Sequence, residues 1–146
     1  GYVYGLRMLE AEPFLNIINA LKDVKRKGFT ISIVSHKTQY PYIGKRYNLH
    51  KPASEWIEKN LGKSGENLIC SQNVFFEKTK KEKIQRIKEI KCDVYIDDLT
   101  EILLSPDFPK NTKRVLFDPN EYHLPSTEFI TLKDWEKLSD VLGAIC

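Results

Sequence analysis

The stretch Cys92-Asp93-Val94-Tyr95-Ile96-Asp97-Asp98-Leu99 is a short apolar segment that runs directly into two adjacent carboxylates. Its apolar part has the length and composition of a buried strand. Two neighbouring ionised carboxylates repel each other unless a cation, a basic side chain or water offsets their charge. Carboxylate oxygens are ligands that Mg²⁺ selects, so the pair predicts that Asp97 and Asp98 bind Mg²⁺. The alternative, a solvated turn or a helix cap, accounts for one aspartate but not for two.

Helical and strand-like patterns alternate along the rest of the chain. This alternation predicts an α/β fold: a three-layer, Rossmann-like parallel sheet with helices on both faces. Such sheets bind ligands beyond the carboxyl ends of their strands, where the paired aspartates fall. The predicted helices cover residues 13–28, 53–62, 79–90, 99–104 and the stretch from 134 onward, and the predicted strands cover residues 29–35, 67–76, 92–97, 114–117 and 129–131, with a loop at 40–50.

The composition predicts one domain over residues 1–146, with 41% hydrophobic and 29% charged side chains. The 23 basic and 20 acidic side chains are too nearly balanced for a surface that binds nucleic acid or a membrane. Three cysteines suggest reduced thiols rather than a disulfide framework, which favours a cytoplasmic location. We therefore expect a small-molecule partner, no nucleic acid and no membrane; homo-oligomerisation stays open.

A second set of polar residues follows the predicted strand at 29–35. The Ser35 hydroxyl, followed by the backbone amides of His36 and Lys37, could hold phosphate oxygens. The alternative is an ordinary strand end, since strands often finish in serine. Asp118 and Asn120 follow another predicted strand at the same edge, although an Asp-Pro-Asn turn explains them equally well.

A lysine-rich segment begins the helix after Thr79. Lys80 lies four residues before Ile84 and so shares the core-facing side of that helix, from which it can lean towards the strand ends. A lysine there would stabilise the charge of a phosphoryl group. Two alternatives remain: the lysines form a solvated basic face, or Lys83 is the site lysine instead.

The polar residues appear in the order hydroxyl, lysine, paired aspartates, and this order resembles the haloacid dehalogenase (HAD) superfamily of phosphohydrolases. A response-regulator receiver, which is also a parallel α/β domain, has its acidic pair first and its hydroxyl and lysine last. The resemblance covers almost the whole chain and is closest to a little-characterised bacterial subgroup. The segments that carry it are residues 1–8, 34–38, 79–83, 96–99 and 116–120.

The resemblance implies a Mg²⁺-dependent phosphatase that acts on a small phosphorylated metabolite through an aspartyl-phosphate intermediate. It implies catalytic roles for Lys80 and Ser35. It further implies that the substrate is bound by Ser35, His36 and Lys37 and that Mg²⁺ is bound by Asp97 and Asp98.

The superfamily also places its nucleophilic aspartate at the end of the first strand, with a second aspartate two residues later. No Asp-x-Asp segment precedes the first predicted helix. We therefore expect this chain to lack its first strand and a small cap insertion, so that the full-length form is the enzyme. In the alternative, residues 2–6 take the central position of the sheet, and the chain is a non-catalytic HAD-like binding or scaffolding domain.

Overall fold

The computed structural model describes residues 2–4, 15–36 and 68–145, and these residues confirm the α/β prediction. The predicted helix at 53–62 and the loop at 40–50 lie outside them. No helix in the described ranges is long and apolar enough to cross a membrane. The strands are β1 (Tyr2–Tyr4), β2 (Ile31–His36), β3 (Val74–Glu77), β4 (Val94–Asp97), β5 (Lys113–Phe117) and β6 (Ile130–Leu132). The helices are α1 (Leu15–Arg26), α2 (Lys80–Glu89), α3 (Thr100–Leu103) and α4 (Leu138–Ile145), with 3₁₀ turns at Ser71–Asn73 and Trp135–Lys137.

The strands form one parallel sheet in the order β3-β2-β1-β4-β5-β6. Strand β1 lies between β2 and β4, where Val3 pairs with both Ser32 and Tyr95. This is the central position that the alternative assigned to residues 2–6. Because β1 pairs with both β2 and β4, the edges of these two strands that face β1 are hydrogen-bonded.

Local signals set the ends of the helices. Helix α1 ends with Lys25 and Arg26, and Gly28 follows at a positive φ of 93°, a conformation that favours glycine after a helix. Helix α2 starts after Thr79, whose side-chain oxygen accepts a hydrogen bond of 3.0 Å from the amide of Glu82. This cap satisfies one of the donors that every helix start leaves unpaired, and it lies at the helix start that the sequence predicted.

The core consists of two apolar clusters, and strand β4 contributes to both. Val94 and Ile96 pack in the cluster that includes α1 and α4, whereas Tyr95 packs in the cluster that includes α2 and α3. All four residues of β4 are buried. Successive side chains of a strand point to opposite faces, so β4 is covered on both faces, as parallel strands usually are. The carboxylate at its end therefore enters a largely dehydrated region.

Candidate functional site

Asp97, the last residue of β4, is 1% exposed and has partners at both carboxylate oxygens. Its Oδ2 accepts hydrogen bonds from the Lys83 ammonium at 2.8 Å and from the Tyr95 hydroxyl at 2.6 Å. Its Oδ1 accepts a hydrogen bond of 3.0 Å from the amide of Leu99. The centre of the candidate site is therefore a buried ion pair with two additional hydrogen bonds.

The local folding of two elements brings these groups together. Tyr95 and Asp97 are two residues apart on one strand, so their side chains lie on the same face of the sheet. Lys83 lies on α2 beside the buried residues Ile84 and Ile87, which pack against that face. Its ammonium is also 5.8 Å from the centroid of the Tyr95 ring, within the range of a cation–π interaction.

Burial determines the electrostatics of the group. It raises the pKa of the Tyr95 hydroxyl well above its ordinary value of 10.0, and the nearby Asp97 charge raises this pKa further. The phenol therefore keeps its proton and acts as a donor to Asp97. A buried ion pair is strongly destabilised when one partner is removed, because the other charge is then left without compensation. Lys83 and Asp97 thus depend on each other.

The structure brings Lys83, rather than Lys80, to the aspartate. Lys80 is the first residue of α2 and is exposed, whereas Lys83 is 3% exposed. Both residues share one side of the helix, but they are separated by three residues, or about 4.5 Å along the axis. Lys80 therefore stays exposed, and Lys83 reaches the aspartate at the end of β4.

Ser35 lies on the same edge of the sheet as the paired aspartates and is 2% exposed. Tyr4 of β1 pairs with Ile33 on one side and with Ile96 on the other. Ser35 lies two residues beyond this level on β2, and Asp97 lies one residue beyond it on β4. Adjacent strands are about 4.8 Å apart, which places these two backbone positions about 10 Å from each other. His36 ends β2, and Lys37 lies outside the described residues.

The two adjacent aspartates differ in burial. Three of the four lone-pair positions on Asp97 are already used by its donors. Asp98 is half-buried just beyond the strand. In the described part of the chain, no three His, Cys, Asp or Glu residues form a group that could hold a metal ion. Mg²⁺ is commonly held by one or two carboxylates together with substrate phosphate.

Asp118 follows β5 and is buried at 3% exposure, yet its partners are local. Its Oδ1 accepts a hydrogen bond of 3.0 Å from the amide of Tyr122, and its Oδ2 accepts one of 2.9 Å from the amide of His123. Burial acts to raise the pKa of this carboxyl, but these two amides and the His123 side chain outweigh it and lower the pKa below its ordinary value of 3.8. These contacts fit the turn that the sequence offered as an alternative to a site residue.

The sequence reasoning did not identify Tyr95 as a member of the site. The signal was present, because a tyrosine two residues before a buried strand-end aspartate lies on the same face of the strand.

No protein-family model matches the chain, and no curated protein matches it.

Proposed function

We propose that the edge formed by the carboxyl ends of β2, β1 and β4 is the phosphate-binding edge of a Mg²⁺-dependent, HAD-like phosphohydrolase. The proposal includes the three-layer, Rossmann-like arrangement of that superfamily and a small phosphorylated metabolite as substrate. It depends mainly on one observation: a buried lysine on α2 pairs with the aspartate that ends β4. A buried charged group with a specific partner of opposite charge is a candidate for a functional site.

Each residue of the site has a separate role in this proposal. Lys83 supplies positive charge towards the phosphoryl group, and Asp97 and Tyr95 fix the position of its ammonium. Ser35 donates its hydroxyl proton to a phosphate oxygen. Asp98 would hold Mg²⁺, which, when bound, offsets negative charge on the phosphoryl oxygens. In this proposal the catalytic lysine is Lys83, whereas the sequence had suggested Lys80.

Hydrolysis through an aspartyl-phosphate also needs a carboxylate nucleophile at the end of the central strand. Strand β1 reads Tyr2-Val3-Tyr4, and the first acidic residue of the sequence is Glu10. We therefore assign catalysis to a longer form of the protein, in which an Asp-x-Asp strand takes the place that β1 occupies here. Residues 1–146 would supply the lysine, the hydroxyl and the metal-binding carboxylate.

A non-catalytic binding domain is the second candidate. One observation favours it: β1 fills the position between β2 and β4 without offering a carboxylate. The same edge would then bind phosphate through Ser35 and Lys83 but could not form a covalent intermediate. The two candidates share the binding groups and differ in turnover.

Hydrolysis and binding measured on the full-length protein separate these candidates. We expect p-nitrophenyl phosphate to be hydrolysed only with Mg²⁺, and Asp98→Asn to abolish this activity without a large change in the thermal unfolding midpoint. Asp107→Asn, which changes an exposed aspartate remote from β4 in sequence, is the matched control and should keep full activity. Phosphate binding without hydrolysis would favour the binding domain. Absence of both binding and hydrolysis would contradict both candidates.

A further inference from the structure

A groove with an excess of positive charge lies at the opposite edge of the sheet, beside the amino ends of β5 and β6. It is an open depression with a volume of about 460 Å³. Lys110, Lys113 and Arg114 contribute three positive charges to its lining, and Glu128 contributes one negative charge. Ser126 and Thr127 add hydroxyl groups. The local excess of two positive charges contrasts with the nearly balanced charge of the whole chain, where 23 basic side chains face 20 acidic ones.

Arg114 is held in place by an aromatic ring rather than by hydrogen bonds. Its guanidinium carbon lies 4.7 Å from the centroid of Phe108, a buried residue, and its side chain is 17% exposed. Its nearest acidic partner is Glu128, at 3.6 Å from Nη1, a separation too long for a hydrogen bond. In the described ranges the guanidinium makes no hydrogen bond, although it carries five donors. The contact with Phe108 therefore orients the guanidinium, while its N–H donors stay available to a ligand.

The two lysines reinforce this arrangement. Lys110 and Lys113 are exposed, and neither forms an ion pair with any residue that the structure describes. The backbone of Lys113 is fixed, because its amide donates a hydrogen bond of 2.8 Å to the carbonyl oxygen of Asp93. Like charges around one cavity repel each other, and an anion between them removes that repulsion.

We propose that this groove is a second ligand site, which binds a small polyanion carrying at least two phosphate or similar oxyanion groups. The planar guanidinium of Arg114 can bind one oxyanion in a bidentate manner, while the lysines act as point charges towards the other. The cavity volume lies within the range of about 300 to 1,000 Å³ that is typical of small-molecule sites. Because the groove is at the amino edge of the sheet, this site does not depend on the proposed phosphohydrolase function.

Titration with inorganic pyrophosphate tests the site. The amide and Arg Nε signals of the ¹⁵N-labelled protein would be followed by NMR at constant ionic strength. We expect saturable shifts at the Arg114 side chain and at the Ser126 and Glu128 amides. The double variant Lys110→Gln with Lys113→Gln should bind about tenfold more weakly or worse, equivalent to at least about 1.4 kcal/mol. Lys137→Gln, which removes an exposed lysine outside the groove, should bind as the wild type does.

Arg114→Gln should reduce binding further, but it also removes the contact with Phe108 and so could affect folding. The double lysine variant changes only exposed side chains and keeps the test decisive if Arg114→Gln does not fold. Three results would overturn the proposal: no saturable shift, equal affinity in the double lysine variant, or the same shifts when sodium chloride replaces pyrophosphate.

Discussion

Asp97 and Asp118 are buried carboxylates at the ends of neighbouring strands, yet different kinds of hydrogen-bond donor stabilise them. Asp97 receives a cation from another element, fourteen residues away in sequence, and a phenol from its own strand. Asp118 receives two backbone amides, four and five residues further along its own loop. The burial is similar, at 1% and 3% exposure, but the partners differ in charge and in origin.

The two aspartates differ in whether a second buried charge or the amides of a loop compensate for their burial. Backbone amides from contiguous residues satisfy Asp118 without introducing a second buried charge. Lys83 and Asp97 each lose water on burial, and only their contact compensates for that loss. Stability alone does not require such an arrangement, since apolar residues can often fill a buried position equally well. The Lys83–Asp97 pair is therefore the better candidate for a functional role.

Removal of the charge at each aspartate should give the largest difference in the free energy of unfolding. Asp97→Asn leaves the Lys83 ammonium buried without a counter-charge, so we expect the free energy of unfolding to fall by about 3 to 5 kcal/mol. Asp118→Asn keeps one side-chain oxygen as an acceptor for a loop amide and should cost clearly less. Urea unfolding of both variants measures the two changes. Equal losses of unfolding free energy in the two variants would show that burial of Lys83 does not depend on the charge of Asp97.

The two lysines of α2 provide a smaller contrast at the same site. Lys83→Met removes one charged donor from Asp97, which keeps the Tyr95 hydroxyl and the Leu99 amide. We expect it to cost about 1.5 to 3 kcal/mol. Lys80→Met changes an exposed side chain and should stay within about 0.5 kcal/mol of the wild type.

A double variant sharpens this result. Lys83→Met combined with Asp97→Leu removes both charges and should be less destabilised than the sum of the single changes, because neither charge is left alone. Strictly additive losses in urea unfolding would show that the two side chains are not energetically coupled. A large loss in Lys80→Met would contradict the assignment of Lys83 as the partner of Asp97.

The sequence predicted α1, β2, α2 and β4 because the signals for these elements are local. The apolar period and the basic end of α1, the Thr79 cap and the apolar run before Asp97 each lie within one segment. The choice between Lys80 and Lys83 could not be made in this way. Both residues fit the same helical side, and the choice depends on how far α2 extends past the end of β4, which only tertiary packing fixes.

The position of β1 and the role of Asp118 also depend on tertiary structure and could not be predicted from local sequence signals. The segment Tyr2–Tyr4 is too short to carry a clear period, and its place between β2 and β4 is set by long-range pairing. The sequence allowed Asp118 to be either a turn residue or a site residue. Only the directions of the Tyr122 and His123 amides distinguish these alternatives.

The pH dependence of stability at Asp118 gives the smallest expected effect and completes the comparison. Folding lowers the pKa of this carboxyl below its ordinary value of 3.8. Its contribution to stability is therefore complete above that value and is lost as the pH falls through the lower pKa of the folded state. The difference in the urea midpoint between the wild type and Asp118→Asn should be present at about pH 6 and should shrink at about pH 2.5. Asp107→Asn, at an exposed position, is the control for the loss of an aspartate charge. A difference that persists in acid would mean that Asp118 stabilises its loop without needing its charge.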